Sequence, residues 1–314
     1  MVRITAFAAA LMLLAAGAQA QPALTTIHVG LVPTDDITPL VYAIRTGMFR
    51  QEGLDVELAA GNSGTAMAAA VISGSYEFGK SSMLAVINAH LRNLPLAMVG
   101  SEAVYDEKNP YTQFVVAADS SYKSAKDLDG KIIGTPALND LDELTTMAWI
   151  DKNGGDIKSL RFVELPQAAS IAAVTEHRVD GTVLHYPPLA EAMASGKVRA
   201  MAPVYSGVAP FFVFAAYFTS TAYAQAHPDI VRKFMQTIYR AAAYTNKHHA
   251  ETVQMMAEVT KVQPELVARM NRVDGATSLN PKDIQPVIDV AARYKLTQRA
   301  FPATEMLQYA PNVR

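Results

Sequence analysis

The 314-residue chain contains no cysteine and only one tryptophan. Without a thiol there is no disulfide, no thiolate metal site and no cysteine nucleophile, so core packing alone must hold the fold. An excess of one charge is also missing. Lys and Arg total 27 against 29 for Asp and Glu, and no basic stripe interleaved with aromatics suggests a nucleic-acid partner. Beyond the first twenty residues nothing approaches the run of about 18 apolar residues that a membrane span needs. Those twenty read as a removable secretion signal: Arg3 gives the positive start, Ile4 to Gly17 the apolar run, and Ala18-Gln19-Ala20 the small-residue cleavage site. The expected product has about 294 residues and a net charge of about −3. With no cysteine to carry a lipid anchor, it is expected to be freely soluble outside the inner membrane, in a periplasm.

Apolar runs alternate with helical patterns through the first two thirds of the chain, the pattern of an α/β fold with largely parallel sheets. Strands are expected at Ile27 to Val32, Leu54 to Leu58, Tyr76 to Gly79 and Leu94 to Val99. Thr38 is placed to cap a helix with Pro39 in its first turn, and Gly47 to end it. Thr112 to Ala117 reads as a strand leaving this set. A second set restarts at Ser124 and includes a helix from about Asp140 to Asp151 and strands at Leu160 to Leu165 and Asp180 to Leu184. Phe211 to Phe218 is an apolar strand able to carry the chain back. After Ala222 the chain reads as helical, with starts near Pro228, His249, Pro264 and Pro281. These two crossings divide the chain into one lobe of residues 25–112 plus 215–314 and another of 115–211.

The run Pro39-Leu40, Ala43, Gly47, Phe49, Gly53-Leu54, Val56, Leu58 resembles the opening of extracytoplasmic solute-binding proteins of the nitrate/sulfonate/taurine and thiamine-precursor type. Ser124, Asp127-Leu128, Gly130-Lys131 and Ile133 resemble the start of that family's second lobe. The resemblance covers roughly Thr26 to Tyr244. It implies the two-lobed periplasmic-binding-protein fold (type II), with two hinge crossings and a helical C-terminal region, closing on a ligand. It also implies an ATP-driven importer: a monomeric carrier that hands a small organic solute to an inner-membrane permease, with no cofactor and no catalysis.

In open α/β sheets, ligands lie beyond the carboxyl ends of strands, where helix N-termini present free N–H groups. That rule selects Thr34 and Asp35 after the first strand, Asn62, Ser63 and Thr65 after the second, and Ser81 and Ser82 after the third. In the second lobe it selects Thr135, His185 and Tyr186. Small hydroxyl and amide side chains here serve equally for helix capping. Tyr42 lies on the first helix near the mouth. Asp140, Asp142 and Glu143 read most simply as surface carboxylates facing the helix dipole. Facing the cleft instead, they would repel a compact anion and suit an amine or a heterocyclic N–H. The histidines show no metal-ligand spacing, and no G-x-S-x-G elbow is present. Related enzymes on this scaffold are expected to need cysteine, which leaves an enzyme or a periplasmic sensor as the alternatives to a carrier.

Overall fold

The computed structural model describes residues 23–61 and 64–311, so residues 1–20, which the sequence suggests are a secretion signal, lie outside the described part. In chain order the elements are β1 (Thr25–Leu31), α1 (Thr38–Arg45), α2 (Met48–Gln51), β2 (Leu54–Ala60), α3 (Gly64–Ile72), β3 (Phe78–Ser82), α4 (Met83–Leu91) and β4 (Leu96–Asp106). Then come β5 (Thr112–Ala117), β6 (Ile132–Thr135), α5 (Leu141–Lys152), β7 (Arg161–Glu164), α6 (Gln167–Thr175), β8 (Gly181–His185), α7 (Pro188–Ala194) and β9 (Val198–Ala202). The chain ends with β10 (Phe211–Ser220), α8 (Thr221–Ala226), α9 (Pro228–Thr245), α10 (Val253–Thr260), α11 (Pro264–Arg269), β11 (Asp274–Gly275) and α12 (Pro281–Arg293).

Two sheets result. One has the strand order β11-β4-β10-β3-β1-β2 and the other β7-β6-β8-β5-β9. The chain passes from the first to the second between β4 and β5 and returns between β9 and β10, which makes an α/β fold of two lobes. β1 and β2 run parallel in register from Thr25 opposite Leu54 to Leu31 opposite Ala60. β10 is antiparallel to both β3 and β4 and lies between them. The helices close the first sheet through apolar stripes at helical spacing. On α9 the buried residues are Val231, Phe234, Met235, Ile238 and Ala242. Phe234 stacks on Phe78 of β3 with ring centroids 4.2 Å apart and on Phe49 at 5.4 Å.

Several elements differ from the sequence reading. β3 begins two residues later than expected and includes Lys80, Ser81 and Ser82, because these pair with Tyr217, Ala216 and Ala215 of β10. β4 extends to Asp106 because β10 continues to pair along it. The region after Ala222 is not wholly helical: Asp274 and Gly275 pair with Val104 and Ala103 as a two-residue edge strand. Thr38 is the first residue of its helix and does not cap it. Its hydroxyl donates to the Asp35 carbonyl at 2.7 Å.

Candidate functional site

The carboxyl ends of β1, β3, β6 and β8 meet where the two lobes face each other. A cavity of about 540 Å³ lies beside this junction, on the α4 side. It is lined from the first lobe by Gly64, Ser81, the α4 residues Ala85 and Ala89 and the C-terminal residues Glu305 and Tyr309, and from the second by Leu138, Asn139 and Asp140. The carboxyl ends of β1, β6 and β8 do not line it. That volume is in the range of small-molecule sites. Gly64, at the start of α3, is held against Ser81 so tightly that a Cβ there would fall 2.1 Å from the Ser81 hydroxyl. Ser82 joins the lobes. Its hydroxyl donates to Asp140 Oδ1 at 2.5 Å and accepts from the Ala85 amide at 3.1 Å, capping α4.

Next to the cavity, at the junction itself, lies a buried, charged cluster that forms the floor between the lobes. In the first lobe Lys80 donates to Asp36 Oδ2 and, at 3.3 Å, to the Thr34 hydroxyl, which itself donates to Asp36 Oδ1 at 2.5 Å. Glu102 Oε1 makes a second, longer ion pair with Lys80 Nζ at 3.3 Å, although neither Glu102 oxygen accepts a hydrogen bond of normal geometry. Burial raises the Glu102 pKa to about 8; neighbouring Asp36 adds to the rise and Lys80 opposes it. Burial alone would depress Lys80, but the Asp36 and Glu102 carboxyls outweigh it and hold its pKa above the ordinary value. In the second lobe Asp142 accepts from Tyr205 at 2.8 Å and pairs with His185 Nε2 at 2.8 Å. Burial lowers the His185 pKa and Asp142 raises it, with a net rise; Asp36 and Lys80 act on it from the opposite lobe. The Tyr111 ring lies edge-on to Tyr205 at 5.7 Å and stacks on Phe214 at 4.7 Å.

The structure gathers some of the expected residues and disperses others. Thr34, Ser81, Ser82 and His185 are at the lobe junction. Asp35 is buried beside it but already committed, accepting from Arg272 Nε at 2.7 Å and from the Val273 amide at 2.8 Å. Tyr42 packs away from the junction, on Tyr244 of α9 at 5.1 Å. Thr135 is buried and donates to the Ala137 carbonyl at 3.1 Å, shaping the loop that leads to Asp140. Tyr186 is half-buried where the core clusters of both lobes meet. Asn62 and Ser63 lie outside the described residues, as does the Thr65 side chain. Asp142 is not a surface carboxylate: its oxygens are taken by His185 and Tyr205, while Glu143 accepts from the Asn139 amide at 2.7 Å. Among the described residues no group of three His, Asp or Glu could hold a metal ion.

Glu102, Tyr111 and Tyr205 were not identified from sequence. Glu102 did leave a signal, a lone carboxylate inside the apolar run from Leu96 to Tyr105. The two tyrosines left none, because only the tertiary crossing brings them to the floor.

A family model described as NMT1/THI5 like matches residues 34–252. The chain belongs to that family. Its 4-amino-5-hydroxymethyl-2-methylpyrimidine phosphate synthase relative from Aspergillus parasiticus is 27% identical over 260 residues, spanning 74% of this chain and 69% of that protein. A formylaminopyrimidine-binding protein from Halalkalibacterium halodurans is 28% identical over 173 residues, and the match spans 53% of this chain and 51% of that relative. Among solved structures, the periplasmic aliphatic sulphonate binding protein of Escherichia coli superposes with a TM-score of 0.74 at 16% identity, covering 91% of this chain and 99% of that one. This likeness establishes the periplasmic-binding-protein fold. Among the described residues no helix is long and apolar enough to cross a membrane.

Proposed function

We propose that the protein is the solute-binding component of an ATP-driven importer, capturing a small organic molecule between its lobes outside the cytoplasm and delivering it to a membrane permease. The observation that supports this reading is the cavity itself. It takes lining residues from both lobes, which the chain connects by two crossings, and Asp140 at its edge is bonded to Ser82 of the other lobe, an arrangement suited to closing on a ligand. In this reading residues 25–112 with 215–314 move as one lobe and 115–211 as the other. Thr34, Ser81, Ser82, His185 and Tyr186 contact the solute, joined by Asn62, Ser63 and Thr65 at the start of α3. A compact inorganic anion suits this junction poorly, because both nearby cations, Lys80 and His185, are already paired with carboxylates.

Thermal-shift screening of the purified protein against small organic solutes, with nitrate and sulfate as controls, tests the reading. A stabilising organic solute, recovered chemically unchanged, is the expected result. Strong stabilisation by nitrate or sulfate alone would refute the ligand class. Tyr186→Ala should weaken binding through lost packing, and Ser81→Ala by roughly 1–3 kcal/mol if a buried solute group loses its partner. The synthase relative favours a second reading, an enzyme acting on a pyrimidine precursor. Chromatography of the solute after prolonged incubation separates the two, since conversion without any added enzyme contradicts a carrier.

A further inference from the structure

One carboxyl in the floor is unmatched. Each oxygen of Asp36 accepts a hydrogen bond, from Thr34 and Lys80. Each oxygen of Asp142 meets a polar partner, Tyr205 or His185. Glu102 is 1% exposed; Lys80 Nζ lies 3.3 Å from its Oε1 but is shared with Asp36, and neither Glu102 oxygen accepts a hydrogen bond of normal geometry, nor does the fully buried Tyr217 hydroxyl make one. The backbone places Glu102 deliberately. Ala103 pairs with Ala215 and Ser101 with Ala216, so Glu102 is the extra residue of a β-bulge in β4. Bulges of this kind re-aim a side chain and recur beside active sites. Two buried carboxylates sharing one ammonium are costly, and what the group lacks is a second positive charge or a proton.

We propose that Glu102, with Tyr217 beside it, forms a deep subsite that accepts a protonated nitrogen of the solute, an ammonium or amidinium group. This rests on the carrier reading and adds the chemistry of the solute. Charge counting supports a cation. With Glu102 protonated, Lys80 balances Asp36; with Glu102 ionised, the group lacks one positive charge. A cation therefore takes the place of the proton, and binding releases that proton to solvent. The charged and titratable groups facing Glu102 are Asp36 and Lys80, with Tyr217 from β10 and Tyr111 from the crossing. Asp35, behind Asp36, is neutralised by Arg272. Entry requires the lobes to separate far enough to expose Glu102, which is buried in this arrangement.

The test uses the full-length mature protein with benzamidine, benzylamine and ammonium as cationic probes and benzamide and benzyl alcohol as neutral counterparts. At least one cationic probe should raise Tm where its neutral counterpart does not. Calorimetry at pH 7 in two buffers of different ionisation enthalpy should then show about one proton released per cation bound. Glu102→Gln, which keeps the shape but cannot ionise, should abolish the release and weaken cation binding at least tenfold; Glu102→Leu, equally unable to ionise, serves if the amide variant does not fold. Equal stabilisation by the neutral probes, unchanged cation binding in the variant, or no stabilisation by any cationic probe would overturn the subsite. If an anionic or neutral organic solute then binds in the wider screen, the carrier reading stands without it. If no solute binds at all, the carrier reading fails as well.

Discussion

At the scale of single residues, the floor is held by ion pairs and hydrogen bonds among its own buried members. Removing Asp142 leaves His185 and Tyr205 buried without an acceptor, so Asp142→Ala should lower the unfolding free energy by about 3–5 kcal/mol near pH 6. The loss should shrink at higher pH. His185 has a folded pKa above its ordinary value, so its ion pair contributes fully below the unfolded pKa and is lost as pH rises through the folded one. Urea titrations of both proteins at pH 6 and pH 9 measure this. Glu102 acts in the same direction. Its pKa rises from 4.5 to about 8 on folding, so the folded state holds more protons between those values and stability falls as pH rises across that window. Glu102→Gln should flatten the decline, seen as a Tm that changes less between pH 5 and pH 8 than in the wild type. The sequence reading selected Ser82 because it follows the third strand and His185 because it ends a second-lobe strand, and the structure places both at the lobe junction. It missed Glu102 because a bulge, not strand alternation, decides where that side chain points.

At the scale of elements, α5 positions Asp142 and is itself positioned by the turn at Val204–Gly207, which carries Tyr205. Gly207 lies against the backbone of α5: a Cβ there would fall 2.4 Å from the Trp149 amide nitrogen and 2.7 Å from its Cα. Backbone cannot yield as a flexible side chain does. Gly207→Ala should therefore destabilise the protein by about 1–3 kcal/mol and weaken solute binding with it, measured by denaturant midpoint and by titration with the solute found in screening. The helices were legible from sequence because capping, Pro and Gly signals are local, and α9 and α12 begin at Pro228 and Pro281 as their prolines indicate. The bounds of β3 and the existence of β11 were not, since each is defined by the strand it pairs with. β11 has only two residues and carries no pattern of its own.

At the scale of the whole molecule, two side-chain bridges span the lobes on the side of α4, α5 and α12: Ser82 to Asp140, and the Tyr294 hydroxyl to Asp151 Oδ2 at 2.7 Å. Removing both, as Ser82→Ala with Tyr294→Phe, should shift the solute-free protein toward an open form, with a larger radius of gyration by small-angle scattering that solute reduces again. The strand order has a consequence in time as well as in space. β3 and β4 follow each other in the chain, yet β10 lies between them in the sheet. During synthesis both strands must wait, with unpaired edges, until the second lobe has been made and Phe211 onward arrives. The second lobe is contiguous and can assemble first, whereas the first is governed by contacts distant in sequence, which fold slowly. A chain stopped before Phe211 would hold β3 and β4 without the strand that joins them, open to chaperones, proteases and other unfinished copies of itself. The central strand of the first lobe is thus also its clock.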